Sequence, residues 1–156
     1  MPSTVSLLKR LRVAYPQLSF RLGNHFQWDF TAQTITYPKV SQEDDWSSHL
    51  LHEVAHAVLG HHSYDRDIEL IAIERDAWRH ARSHLADQYK VTVDTQTVET
   101  AMDSYRDWLH DRSVCPKCNS NGVEIAKHKY ACVACRAEWH VNEARLCGLR
   151  RTAIKK

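Results

Sequence analysis

The chain has no long apolar run, no internal repeat, no low-complexity stretch and little net charge. No segment reaches the roughly 20 apolar residues that a membrane-spanning helix needs, so no membrane association is expected. The opening segment, residues 1–12, breaks its short apolar run with Lys9, Arg10 and Arg12, which makes a poor signal peptide. A cytoplasmic location is the resulting expectation. A net charge of +2 says little about partners for the chain as a whole. Glycine and proline are scarce, at four each. The cysteines number five. In a reducing compartment they are expected to bind metal rather than form disulfides.

What is present is enough for one ordinary domain and a small appendage. The 156 residues are 43% hydrophobic and include five Trp and six Tyr. The charge is unevenly placed. From Ser113 onward, nine Lys or Arg stand against three Glu, a net of +6, and the remainder of the chain is net −4.

The pattern predicts a helix over residues 3–14, with Ser3 as N-cap, a Leu7, Leu8 and Leu11 stripe, and Pro16 beyond the end. Residues 18–37 alternate through Phe26, Trp28 and Phe30 and again through Ile35 and Tyr37, which predicts short antiparallel strands. Ser41, with Asp44 and Asp45 after it, is expected to open a helix of about five turns. Its apolar face is Trp46, Leu50, Val54 and Val58, and Gly60 stops it. Further helices are predicted from about Asp65 to Ala86 (with Ile68, Ile71, Trp78 and Leu85) and from about Thr95 to His110. At Ser113 the pattern gives way to cysteine pairs, Asn, Gly and short β-prone runs, and the domain boundary is drawn there.

Residues 52–56 read His-Glu-Val-Ala-His. On a helix, His52 and His56 stand one turn apart and point the same way, so two imidazoles can grip one zinc ion. Glu53 lies between them and could take a proton from a zinc-bound water. A catalytic zinc usually has a third protein ligand. The available residues are Glu69, Glu74, His61, His62, His80 and His84. Glu74 is chosen because its helix can fold back across the metal helix. His62 is the rival, six residues after His56, but that spacing also needs Gly at 59, where Leu stands. Asp67 and Asp76 could orient a ligating imidazole, or could simply be helix-start and surface acids. Tyr64, His61 or His62 could supply a donor to the anionic intermediate, and a strand from 18–37 could align an extended peptide.

Cys115-Pro-Lys-Cys118 and Cys132-Val-Ala-Cys135 are two C-x-x-C pairs separated by thirteen residues. Four such sulfurs make a closed tetrahedral zinc site. Strands Val123–Ala126 and Lys129–Ala131 should lie between, turning at Lys127-His128, with Trp139 as a plug beneath. The metal should supply folding energy to so small a module. Cys147 reads as an unliganded thiol. The tail 145–156 is basic. It could contact nucleic-acid phosphates, or form a surface helix that docks Leu146, Leu149 and Ala153 on the body.

Two stretches resemble the ImmA/IrrE-like metallopeptidases, a zincin family. These are His52-Glu53-Val54-Ala55-His56 with Gly60-His61-His62, and Glu74-Arg75-Asp76-Ala77-Trp78. The resemblance covers roughly residues 20–90. It implies His52, His56 and Glu74 as zinc ligands, Glu53 as catalytic base, and a protein substrate of a regulatory kind. Asp76 replaces the family's second acid, and Trp78 stands where Asn is common. A zincin followed by a zinc ribbon is also similar to the SprT family, whose members act on proteins near DNA, but the His which that family uses downstream would fall near position 71, which is Ile.

The expectation is an α+β chain. Residues 1–112 form a small zincin domain of helices and a short antiparallel sheet, and residues 113–156 form a zinc ribbon with a basic tail. Two Zn2+ ions should bind, one catalytic (His52, His56, Glu74, with Glu53) and one structural (Cys115, Cys118, Cys132, Cys135). The activity expected is that of a zinc endopeptidase acting on a protein or peptide, with nucleic-acid binding through the ribbon as the alternative.

Overall fold

The computed structural model describes residues 3–40, 45–145 and 147–155. In chain order the elements are α1 (Thr4–Ala14), β1 (Ser19–Leu22), β2 (Gln27–Asp29), β3 (Thr34–Tyr37), α2 (Trp46–Val58) and α3 (Asp67–His80). A π-helical turn (Ala81–Leu85) leads into α4 (Ala86–Tyr89), followed by α5 (Thr95–Ser113), β4 (Gly122–Ala126), β5 (Lys129–Cys132), β6 (Glu138–Val141) and β7 (Arg151–Ala153). The architecture is α+β, as expected. Among the described residues, no helix is long and apolar enough to cross a membrane. The composition change at Ser113 coincides with the end of α5. Packing groups the chain into two compact units that are interleaved in sequence: Met1–Ser63 with Ile73–Glu99, and Tyr64–Ala72 with Thr100–Lys156.

In the first unit α1 begins where Ser3 accepts a hydrogen bond from the Ser6 amide, at 3.3 Å. Leu7 and Leu11 are its buried stripe. Helix α2 is buried continuously from Leu50 to His56, the mark of a helix wrapped on several sides. Leu7, Leu11, Ile35, Trp46, Leu50, Leu51, Val54, Ala77, Ala81 and Leu85 form one apolar cluster. Buried Leu-to-Ala changes in such a cluster cost about 2–5 kcal/mol each. The expected opening at Ser41 and Asp44 lies outside the described residues. Asp45 stands at the N-cap position, and its carboxylate meets His49 Nε2 at 3.1 Å.

The helix end is specified closely. Gly60 takes φ +67°, His61 N–H donates to His56 O at 3.0 Å, and Gly60 N–H donates to Ala57 O at 3.2 Å. This paired arrangement is a Schellman cap, which favours glycine at the left-handed position. It turns the chain back so that His61 returns beside His56.

The sheet differs from expectation in one ladder. Its order is β1-β3-β2: β2 pairs antiparallel with β3, but β1 pairs parallel with β3. The chain reverses between β1 and β2, and β3 inserts between them, so β3 runs parallel to β1; Gly23 fits the close approach at the end of that ladder. Its N–H continues the β1 pairing by donating to Tyr37 O at 2.9 Å. A Cβ there would fall 2.3 Å from Thr36 Cγ2. Glycine thus lets the chain run close against β3 before it turns back into β2.

The helix expected over 65–86 is present as α3, the π-turn and α4. It ends at Lys90, which adopts a left-handed conformation. Ile68, expected on its apolar face, is exposed, and Leu70 is buried instead.

The second unit centres on an antiparallel sheet of order β4-β5-β6-β7. Trp139 is fully buried, stacks on Tyr130, and donates from Nε1 to Arg112 O at 3.0 Å. Gly122 fits under it because a Cβ would meet Trp139 at 2.4 Å and Ala131 O at 2.6 Å. Beneath the sheet, Asp67 and Arg112 form a buried ion pair, with Nε to Oδ2 at 2.7 Å. Tyr130 OH donates to the same carboxylate at 2.5 Å.

The tail is not a helix. Residues 151–153 are strand β7, paired antiparallel with β6 through His140↔Thr152. Asn142 makes the return possible: its Oδ1 accepts from Arg150 N and its Nδ2 donates to Gly148 O, both at 2.8 Å. Open backbone groups on β6 are thereby satisfied, which a docked helix would not do. Of the three residues expected to dock, Leu149 packs on the ribbon core, Ala153 is exposed on β7, and Leu146 lies outside the described residues.

Candidate metal centres

The first centre lies within the first unit. Helix α2 supplies His52 and His56 one turn apart, and α3 supplies Glu74. The three donor atoms lie within 4.8 Å of one another. His52 Nε2 is 2.9 Å from Glu74 Oε2 and 3.0 Å from His56 Nε2, and His56 Nε2 is 3.5 Å from Glu74 Oε2. A tetrahedral zinc with N or O ligands at about 2.0–2.1 Å separates its ligands by about 3.3 Å. The observed triangle brackets that value, so the three donors match one face of a tetrahedral site.

The residues are buried: His52 is 4% exposed, His56 6%, Glu74 4% and Glu53 9%. Burial lowers the His52 pKa to about 4, against the raising effect of Glu74. Burial alone would raise the Glu74 carboxyl, but hydrogen bonds with His52 and His56 outweigh it and hold the group well below the usual carboxylate range. A neutral imidazole and an ionised carboxylate are the forms that ligate a divalent ion. Zinc therefore fits this donor set.

The surroundings fix the rings by different means. The His52 ring stacks on Trp78 with centroids 4.2 Å apart and planes 23° apart. Its Nδ1 is buried without a hydrogen-bond partner among the described residues. The His56 Nδ1 instead lies 2.9 Å from His61 Nδ1. Burial, and then His56, lower the His61 pKa.

The rival ligands lie elsewhere. His62 is exposed, packs on Phe30 and bonds Ser63. Glu69 accepts from the Asp65 amide at 2.9 Å. His80 and His84 stack on each other. His49 packs between Phe26 and Trp78. Asp76 pairs with Arg75 at 2.9 Å, and Asp67 pairs with Arg112, so the structure engages both acids away from the imidazoles. His61 as partner of His56 was not read from the sequence. Its signal was the Gly-His step directly after the helix, which a Schellman cap folds back onto the helix's last turn.

The second centre is the cluster of Cys115, Cys118, Cys132 and Cys135, whose sulfurs also lie within 4.8 Å of one another. The Cys115–Cys135 and Cys118–Cys132 separations are 3.7 and 3.5 Å. Zinc–sulfur bonds of about 2.3 Å imply sulfurs about 3.8 Å apart in a tetrahedron. Backbone amides of Lys117, Ala134 and Cys135 point at the sulfurs at 3.3–3.4 Å. The residue after each pair, Asn119 and Arg136, takes the same φ of 61°, so the two knuckles share one backbone turn. Hydrogen bonds from the Ser120 backbone and side chain, and from Cys132, lower the Cys118 thiol to about 6. An Ala137 backbone bond lowers Cys135, but burial and the other three sulfurs outweigh it and push it up to about 11. Four converging sulfurs suit a cation, and a ligated thiol is deprotonated outright. Cys147 is exposed and stands outside the cluster.

The hairpin that joins the pairs is β4 and β5, turning at Lys127-His128 as expected. The fold and its two centres thus describe an α+β chain with two candidate zinc sites, one built from two histidines and a glutamate and one from four cysteines. Comparison with protein-family models, curated proteins and solved structures finds no match.

Proposed function

We propose that the chain is a zinc-dependent endopeptidase of the ImmA/IrrE-like, zincin kind, with a structural zinc in the ribbon. The observation that carries this reading is the buried convergence of His52, His56 and Glu74 on one point, with Glu53 following His52 on α2. A purely structural site has no need of an acid between its two histidines. Three protein donors, one short of a closed tetrahedral set, also favour a reactive site, whereas the ribbon offers four sulfurs.

A zinc ion held by the three residues would supply a Lewis acid that lowers the pKa of a ligated water towards about 7 and polarises a carbonyl. Glu53 accepts the proton as the water oxygen attacks the scissile carbon. The C–N bond then breaks, and the same carboxyl returns the proton to the departing amine. His52 and His56 stay neutral, and Glu74 stays ionised.

Strand β2 is an edge of its sheet beside α2, and a groove along it is lined by Trp28, Phe30, His62 and Ser63. An extended peptide segment of a protein substrate fits there, with the strand edge supplying backbone hydrogen bonds and the groove a place for an apolar side chain. A cytoplasmic location goes with this reading, since free thiolate ligands persist there.

Nucleic-acid binding through the ribbon is a second reading. The exposed Arg136, Arg150, Arg151 and Lys155 favour it. It predicts binding that weakens steeply with salt and that survives loss of Glu53.

The test is Glu53→Gln in the full chain, with proteome-wide substrate trapping. The variant should keep both zinc ions and lose cleavage. Cleavage by Glu53→Gln at the wild-type rate would remove Glu53 as the base.

A further inference from the structure

We propose that His61 is a positioning residue for the metal site: its Nδ1 accepts the Nδ1–H of His56 and so keeps the His56 Nε2 lone pair aimed at the ion. This rests on the reading of His52, His56 and Glu74 as zinc ligands.

The tautomers follow from the geometry. His56 Nε2 is the nitrogen that converges with His52 and Glu74. A ligating nitrogen must present a lone pair, so in the neutral ring the proton sits on Nδ1. That Nδ1 lies 2.9 Å from His61 Nδ1. One of the two nitrogens must donate and the other accept. His56 is therefore the donor, and His61 carries its own proton on Nε2.

His61 is delivered to this place by backbone structure. The left-handed Gly60 turns the chain, and the His61 amide is fixed on His56 O at 3.0 Å. The His61 carbonyl accepts from Trp28 Nε1 on β2 at 2.7 Å. The residue's amide and carbonyl are thus both held, one by the metal helix and one by the adjoining strand.

The two ligand rings differ in just this respect. The His52 Nδ1 is buried with no hydrogen-bond partner among the described residues, and the ring is held by the face of Trp78. The carboxylates that could have served as acceptors are committed elsewhere, Asp76 to Arg75 and Asp67 to Arg112. A hydrogen bond from a ligating imidazole raises its basicity and fixes its orientation, and its loss typically weakens metal binding about 10–100-fold. His61 supplies that bond to one ring, and the other ring does without.

The experiment is a zinc titration of the full chain against a competing chelator, with the ribbon zinc as internal reference. The wild type should bind two ions. His61→Leu, which keeps bulk and loses the acceptor, should weaken the ion held by His52, His56 and Glu74 by about 10–100-fold and leave the ribbon ion unchanged. His61→Asn places a carboxamide oxygen where Nδ1 stood and should restore affinity to within a few-fold. Should His61→Leu not fold, His61→Ala takes its place against His61→Asn. Wild-type affinity in the Leu or Ala variant, or no rescue by Asn, overturns the inference. Failure of the wild type to bind a second ion overturns the ligand reading beneath it.

Discussion

Glu74 and His52 are 22 residues apart in sequence, yet their side chains meet at 2.9 Å inside the first unit. Both stand in their metal-binding forms: burial keeps the imidazole neutral against the pull of Glu74, and the imidazoles keep the carboxylate ionised. A charge this deep is costly unless it is paired or bound to metal. The contact thus explains how a helix buried on several sides can carry His52, Glu53 and His56 at its centre.

Trp78 should matter beyond its bulk. Its face carries the His52 ring, whose Nδ1 has no hydrogen-bond partner among the described residues. Trp78→Ala is expected to cost about 3–5 kcal/mol of stability, typical for a buried aromatic. Trp78→Phe should retain most of the stability yet weaken zinc at this site, because the smaller ring supports less of the imidazole. Denaturant unfolding and zinc titration on the two variants check this.

The metal-free protein should be acid-sensitive in a defined window. The unfolded His52 titrates near 6.5 and the folded one at about 4. The unfolded chain therefore binds the extra proton first. The contribution of the neutral buried ring is complete above pH 6.5 and is lost as pH falls towards 4, in total about 3 kcal/mol. Glu74, with its lowered value, acts in the same direction at lower pH. Chemical unfolding with chelator present should show the slope, and His52→Gln should flatten it between pH 6.5 and 4.

Much of this was legible because it was local. The 3.6-residue period of α2 and the one-turn spacing of His52 and His56 belong to a single helix. The two C-x-x-C pairs likewise declared the hairpin between them and the plug at Trp139. What escaped was long-range or conformational. The parallel pairing of β1 follows from β3 inserting between β1 and β2, a placement that no periodicity encodes. Strand β7 exists because β6 offers an open edge and Asn142 ties the return. A basic run such as 145–156 carries no alternation strong enough to announce that. Asp67 looked like a helix-start acid, but it meets Arg112, 45 residues away, inside the ribbon unit.

That buried pair makes its own prediction. Arg112 is fully buried and donates to Asp67 and to the carbonyls of Asn142 and Glu143. Asp67→Ala leaves a guanidinium without its counter-charge and should cost about 3–5 kcal/mol. Tyr130→Phe, which removes only the hydroxyl bond to Asp67, should cost about 1.5–3 kcal/mol. Thermal unfolding of the zinc-loaded proteins ranks the two, and equal stability of Asp67→Ala and wild type would refute the assignment.

The most direct measurement counts zinc ions per chain by native mass spectrometry in wild type, His52→Ala, Glu74→Gln and Cys118→Ser. Two ions are expected in the wild type at saturating zinc. One is expected in each single-centre variant, with the ion of the other centre retained. Two ions in both His52→Ala and Glu74→Gln, or one ion in the wild type, would contradict the two-centre reading.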